Sequence, residues 1–277
     1  MSKNIEITIL GCGSSGGVPR VGGDWGACDP NEPKNRRRRS SILIEYWEGD
    51  VRPPHEECTV VLIDSAPDLR EQLLDAHTQH IDAVLYTHDH GDQTHGMDDL
   101  RAIAYRKRTQ IPVYMDEVTS INLLTRFTYC FVKPEGRVHP PILSLQPLIK
   151  SGDNLQIFGP GGTISIDVFE VAHGSINALG FIFCGTIAYS PDAHTISDEV
   201  LEKLTDMDLW IVDALRYHRH PTHAHADQAL VWGAITRTKQ LVFTNMHIDM
   251  DTATLNAELP GNQLVGYDNM KIVRKIT

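Results

Sequence analysis

The chain has no cysteines at CxxC spacing, no apolar run of membrane-spanning length and no surplus of basic residues. Each absence excludes something. Its five cysteines (Cys12, Cys28, Cys58, Cys130 and Cys184) are odd in number and far apart. Neither a disulfide framework nor a structural zinc knuckle is expected, and a reducing cytoplasm suits them. No stretch approaches the ~20 apolar residues of a bilayer span. The opening Met1-Ser-Lys-Asn-Ile-Glu-Ile is polar where an export signal needs an apolar core, so the protein is expected to be neither exported nor inserted. Lys and Arg total 25 against 36 Asp and Glu, a net charge of −11. That balance argues against a chain that coats nucleic acid or anionic membrane, so an anionic substrate has to be drawn in by local charge, metal included.

What is present fits a globular enzyme. Hydrophobic residues make up 41% and charged residues 22% of the 277 residues, enough for a sizeable core. No seam in composition divides the chain, so residues 1–277 are read as one domain. Histidine is in excess, with 14 copies, several packed into short stretches.

Ile5, Ile7 and Ile9 alternate with polar residues and predict a strand ending in a Gly-rich loop. Further strands are expected at 41–46, 60–64, 81–87, 111–115, 154–158, 163–171, 178–183, 186–190, 208–215 and 240–245, with a closing strand in 263–276. Helical spacing appears over 67–80, 98–107 (capped by Asp98), 117–128, 197–205 and 224–236, and the Pro-rich stretch to Ser151 reads as irregular. Strand and helix signals alternate in both halves, which predicts mixed α/β architecture with sheets sandwiched between helices.

The strand at 81–87 stops at His88-Asp89-His90-Gly91-Asp92. His88, His90 and Asp92 alternate past a strand end, so extended backbone puts three ligating side chains on one side of the loop; imidazole and carboxylate suit Zn, Mn or Fe. A second cluster, His218-Arg-His220-Pro-Thr-His223-Ala-His225-Ala-Asp227, precedes a helix. Gly11-Cys-Gly-Ser-Ser-Gly16 matches GxGxxG in form, but prolines and glycines follow where a dinucleotide-binding turn needs a helix, so that reading fails. Arg36 to Arg39 is the one basic block, read as ordering the long loop through Asp24, Asp29 or Glu32, or as meeting an anionic substrate.

On these residues the sequence resembles the metallo-β-lactamase superfamily, whose HxHxDH signature is matched by His88, His90 and Asp92, with Gln93 in the sixth place. His173 in Val-Ala-His-Gly, Asp192 in Tyr-Ser-Pro-Asp, His247 in Thr-Asn-Met-His and the early Asp64 match the remaining positions. The resemblance implies a four-layer αββα sandwich. It implies two divalent ions, Zn or Mn: one held by His88, His90 and His173, a second by Asp92 and His247, with Asp192 bridging and a shared hydroxide as nucleophile. Gln93 is a weaker donor than the histidine it replaces, and His95 is the residue able to substitute for it.

Within the superfamily the chain looks most similar to the phosphodiesterase branch, which includes tRNase Z enzymes and the cyclic phosphodiesterase that accompanies carbon–phosphorus lyase. That likeness makes His223 the candidate general acid, a role suited to a group whose pKa lies near neutrality. It also makes the Gly/Ser loop (Ser14, Ser15, Gly16 and Gly17) and His225 candidate substrate contacts, the loop through backbone N–H groups. Only Cys28 stands where the phosphonate-pathway enzyme carries cysteines for an additional zinc, so that zinc is not expected. The expected activity is hydrolysis of a phosphodiester in a small phosphorylated or nucleotide-like molecule, with Asp92 and His223 at the catalytic centre. A tRNase Z-like endonuclease is the runner-up, but no arm for gripping RNA is visible. Lactam or thioester hydrolysis, or a metal- or nucleotide-binding module disabled by Gln93, stand further off. No membrane partner or extended nucleic-acid surface is expected, and a homodimer is left open.

Overall fold

In the computed structural model, which describes residues 2–276 apart from Pro134 and Arg137, the alternation of the first strand is realised in full. Ile5, Ile7 and Ile9 of β1 (Lys3–Gly11) are completely buried. They face an interior shared with Ile42 and Ile44 of β2 (Ser41–Glu48) and Val61 and Ile63 of β3 (Thr59–Ile63). The alternate residues Leu43, Val60 and Leu62 face the other way. Each strand therefore buries both faces, as a sheet between two layers must.

The first sheet has the order β14-β1-β2-β3-β4-β5-β6. It adds β4 (Ala83–Leu85), β5 (Ile111–Tyr114), β6 (Leu143–Leu145) and the closing β14 (Met270–Ile276), which pairs antiparallel with β1. The second runs β13-β12-β11-β10-β9-β8-β7. Its members are β7 (Asn154–Gly159), β8 (Gly162–His173), β9 (Ile176–Phe183), β10 (Ile187–Ser190), β11 (Leu209–Asp213), β12 (Leu241–Thr244) and β13 (Leu264–Val265). Ile164, Ile166, Val168 and Phe181 from this sheet meet the isoleucines of the first.

Helices cover the outer faces. On the first sheet, Leu69 and Leu73 of α1 (Leu69–Asp75), Ile103 of α3 (Arg101–Lys107) and Leu123 of α4 (Glu117–Arg126) pack on Leu43, Leu62 and Val84. Two short turns, α2 (Gly91–Thr94) and α5 (Thr128–Phe131), flank them. On the second sheet, Val200 of α6 (Asp198–Lys203), Trp232 of α7 (Ala226–Ile235) and Leu255 of α8 (Thr252–Glu258) pack on core residues such as Trp210, whose ring stacks on Trp232. The result is the expected αββα sandwich.

Three local expectations change. The segment after Gly96 begins as a 3-10 turn, Met97–Leu100, with Gly96 at the cap; Asp98 lies inside it and pairs with Arg101. The Pro-rich stretch contains the short strand β6, paired in parallel with β5; its Pro134 and Arg137 lie outside the described residues. α8 carried no signal in apolar periodicity, yet Asp251 caps it by accepting from Thr254 N–H at 2.9 Å. Among the described residues no helix is long and apolar enough to cross a membrane.

Strand direction decides where the chemistry sits. β10, β11 and β12 run parallel, and β8 shares their direction through two antiparallel steps across β9. Their C-terminal ends therefore meet at one edge, as do those of β1, β3 and β4 on the facing sheet. Gly13 joins the two by bridging to Arg39 on one side and Met246 on the other. A Cβ on Gly11 would stand 2.1 Å from the Arg39 carbonyl oxygen, which is why glycine starts this crossing.

Candidate active site

At that shared edge lies a cleft of about 310 Å³ lined by Ser15, Arg20, His90, Asp92, His173, Asp192, Arg216, His220, His223, Asn245 and His247, among others. His88 lies buried beneath it. Nitrogens of His88, His90 and His173 gather within 4.8 Å of one another. A second group, His173, Asp192 and His223, is equally tight.

Two of these histidines, His88 and His173, are held with Nδ1 engaged and Nε2 free. Asp64, at φ 62 just past β3, accepts the Thr87 backbone N–H and hydroxyl, both at 2.9 Å. With its proton donated, the Thr87 oxygen accepts from His88 Nδ1 at 3.0 Å, leaving His88 Nε2 buried without a partner among the described residues. His173 Nδ1 donates to the Thr222 carbonyl at 2.7 Å, so its Nε2 also carries a lone pair. Burial, reinforced by neighbouring imidazoles, holds His88 well below the usual histidine range and brings His173 down to about 4. Neutral rings with Nδ1 fixed by a hydrogen bond are the state in which histidine binds metal.

Asp192, 2% exposed just past β10, completes this set: its Oδ1 is 3.9 Å from His173 Nε2. Burial pushes its carboxyl well above the usual range; Asp92 and Asp213 add to the shift and His223 opposes it. Buried carboxylates around unpartnered imidazole nitrogens are costly unless a cation joins them, so His88, His90, His173 and Asp192 fit a divalent ion.

Beside them, His223 Nδ1 sits 2.8 Å from Asp213 Oδ2, at the end of β11. Ala193 N–H donates to the same oxygen at 3.0 Å, and Asn245 Nδ2 lies 3.3 Å from both Asp213 Oδ1 and Asp192 Oδ1. Burial alone would lower His223, but Asp213 outweighs it and the ring rises to about 9, protonated at neutral pH. Nδ1 is committed to the carboxylate, and Nε2 is left for the cleft.

The remaining expected residues divide. Asp92 and His247 line the cleft, and His247 Nδ1 pairs with Asp249 at 2.7 Å. Gln93 is fully buried and donates from Nε2 to Asp192 Oδ2 at 3.0 Å. His95 joins neither ligand group; it lies beside Phe127 and an outer depression shared with Gly16 and Arg20. His225 stands at the N-terminus of α7, bonded to Gln228, in a neighbouring groove outside the cleft.

In the Gly/Ser loop, Ser14 N–H is spent on Met246 O and Gly17 N–H on Ser14 O, so of the four N–H groups expected to meet a phosphate only those of Ser15 and Gly16 are left. The arginine block takes partners other than those expected. Arg37 is buried against Thr252 of α8, Arg38 pairs with Asp75 and Asp268, and Arg39 with Asp68. The residues that escaped the sequence reading include Arg20, Arg216 and Asn245 in the cleft and Asp213 buried behind it. Asp213 and Asn245 end apolar strand runs, a signal that was available; Arg20 carries none.

The comparisons agree with this geometry. The family profile described as "Beta-lactamase superfamily domain" matches residues 59–248. A crystal structure of a new diphosphatase from the PhnP family superposes with a TM-score of 0.86 at 29% identity, covering 100% of this chain and 99% of that one. Human tRNase Z, short form, shares the fold at a TM-score of 0.60 and 19% identity, over 96% of this chain and 98% of that one. An octanoyltransferase of Porphyromonas gingivalis is 30% identical over 274 residues, 97% of this chain and 51% of that protein, so the chain spans about half the length of that curated relative. From its fold, its cleft and a profile match over most of its length, the chain belongs to the beta-lactamase superfamily and has the metallo-β-lactamase fold.

Proposed function

We propose that the protein is a metal-dependent hydrolase acting on a small nucleotide-like molecule, at a phosphoryl group that bridges two substituents. The leading reading is a phosphodiester. The likeness to a diphosphatase brings a phosphoanhydride into the same class, since both reactions expel an oxygen leaving group from a doubly substituted phosphorus. The observation that carries the proposal is the meeting of free imidazole nitrogens with a buried carboxylate, beside a histidine held by a second carboxylate.

His88, His90, His173 and Asp192 would hold a divalent ion; Asp92 and His247, donors to a second ion in the family pattern, also line the cleft. When bound, zinc or manganese supplies Lewis acidity toward a phosphoryl oxygen and toward an attacking water. The chain's own residues do the rest. Arg20 and Arg216 place two positive charges in the cleft of an acidic protein, where they draw in and orient an anion. Ser15 and Gly16 offer backbone N–H groups at its rim. His223 donates the proton on Nε2 to the departing oxygen, while Asp213 holds Nδ1–H and stabilises the charged ring until transfer. Asn245 keeps Asp192 and Asp213 apart by donating between them.

Acyl transfer, suggested by the name of the longer relative, is not favoured: the chain spans about half of that protein, and its cleft is built around a metal-ligand set. The test is hydrolysis of bis(p-nitrophenyl) phosphate by chelator-treated protein, alone and with Zn²⁺ or Mn²⁺, followed by cyclic nucleotides and nucleoside diphosphate esters. Metal-restored cleavage is expected. No metal-dependent rate on any of these compounds refutes the assignment and favours a binding module.

A further inference from the structure

The two halves of the cleft are built differently. On one side, His88 and His173 keep Nε2 without a hydrogen-bond partner among the described residues, and His90 stands beside them. On the other, the atoms a second cation would need are already engaged. His247 Nδ1 pairs with Asp249, so Nε2 carries the lone pair, and Nε2 is contacted by Nη2 of Arg20. A guanidinium has only donors, so His247 must be the acceptor. Asp192 Oδ2, the carboxylate oxygen beyond the first site, accepts the Gln93 amide N–H at 3.0 Å. An oxygen lone pair filled by an N–H group is not available to a metal in the same direction. Among the described residues Gln93 Oε1 finds no partner, so the amide is oriented by its bond to the carboxylate rather than by its own oxygen.

The loop makes room for this arginine. A Cβ on Gly16 would lie 3.2 Å from Cγ and Nε of Arg20, tighter than ordinary packing, so glycine there lets the side chain run back into the cleft. The Arg20 backbone is fixed by its N–H to Asp24 O at 2.9 Å and by Gly23 N–H to its own carbonyl at 3.0 Å. Asp92 lines both the cleft and the depression that Arg20 enters, which puts a carboxylate near the guanidinium.

We propose that this centre binds one divalent cation per chain, in the His88–His90–His173–Asp192 half, and that the guanidinium of Arg20 takes the place of a second. The inference rests on the metal-dependent reading above. Arginine suits the substitution: its charge is permanent, and its planar fork engages two oxygens of a phosphate at once. Substrate phosphoryl oxygens would meet one ion and one guanidinium, with Gln93 holding Asp192 in place.

Metal stoichiometry tests this without reference to turnover. Chelator-stripped protein is loaded with excess Mn²⁺, desalted and measured by elemental analysis and by electron paramagnetic resonance. One equivalent per chain, with the signal of an isolated Mn²⁺, is expected. The double variant Gln93→His/Arg20→Ala, which restores an imidazole and clears His247, is expected to take about two equivalents and to show a spin-coupled pair. Two equivalents in the unaltered protein overturn the inference while leaving the hydrolase reading intact. A folded double variant that stays at one equivalent also overturns it, because Gln93 and Arg20 would then not be what excludes the ion. No bound metal in the unaltered protein refutes the hydrolase reading itself.

Discussion

Replacing Asp213 by Asn isolates the work of one buried carboxylate without changing its shape. Asp213 is fully buried and receives His223 Nδ1 at 2.8 Å, Ala193 N–H at 3.0 Å and Asn245 Nδ2 at 3.3 Å. The amide oxygen can keep the place of Oδ2 and with it the first two bonds; the negative charge disappears, and with it the weaker Asn245 bond, because Asn245 Nδ2 would then face a second N–H donor. A charge-assisted hydrogen bond contributes about 1.5–3 kcal/mol and a neutral one about 0.5–1.5 kcal/mol, so the imidazolium loses about 1–2 kcal/mol. At about 1.36 kcal/mol per pKa unit, His223 should lose its proton about 0.7–1.5 pH units earlier, so kcat measured above about pH 9 should fall by up to about 5- to 30-fold while kcat at neutral pH changes little. The assay is steady-state hydrolysis of an activated and an unactivated phosphodiester, with metal content and melting temperature measured alongside. Because Asp213 acts through proton donation, the loss should be larger for the poorer leaving group, with KM and metal content little changed. An unaltered kcat on both substrates at that high pH, or an equal loss on both, would show that the Asp213–His223 pair does not serve the leaving group.

His223→Ala should lower kcat by about 10²–10⁴-fold on a poor leaving group, the usual contribution of a positioned acid, and keep its metal; loss of metal by elemental analysis would move His223 into the ligand shell. Stripping a metal present at about 100 times its Kd should cost about 2.7 kcal/mol, which lowers the melting temperature by about 5–10 °C in calorimetry. A Cβ at residue 180 would stand 2.2 Å from the Phe169 ring, so Gly180→Ala should destabilise by about 1–3 kcal/mol in urea unfolding, away from the cleft. Burial alone would raise Asp82, but bonds from His80, Lys107 and Val60 N–H outweigh it and hold the carboxyl below its ordinary value. Its contribution is therefore full above the unfolded pKa of about 4 and is lost as the pH falls through the lower folded value. Unfolding midpoints from pH 5 to pH 3 should fall more steeply for the unaltered protein than for Asp82→Asn.

Much of this site was legible because part of it is local. His88, His90 and Asp92 alternate in sequence, and the apolar run before them announces a strand end. His173, Asp192 and His247 were legible only as a set in chain order, since each is an ordinary polar residue after a strand. Arg20 and Gln93 show where such reading stops: what they do depends on residues 227 and 99 positions away, His247 and Asp192. The short β4, three residues where seven were expected, has a related cause. Its ladder to β5 ends at Leu85, and Thr87 turns to Asp64 instead.

The imidazoles at 88 and 90 hang from one sheet, and those at 173 with the carboxylate at 192 hang from the other, so an ion among them works as a crosslink between the two halves of the polypeptide. Neither half can assemble the donor set alone, and a chain that has formed only one sheet has little to offer a cation. Metal capture should therefore come late in folding, after the sheets have docked, and from then on it should hold the seam closed against the fluctuations that would open it.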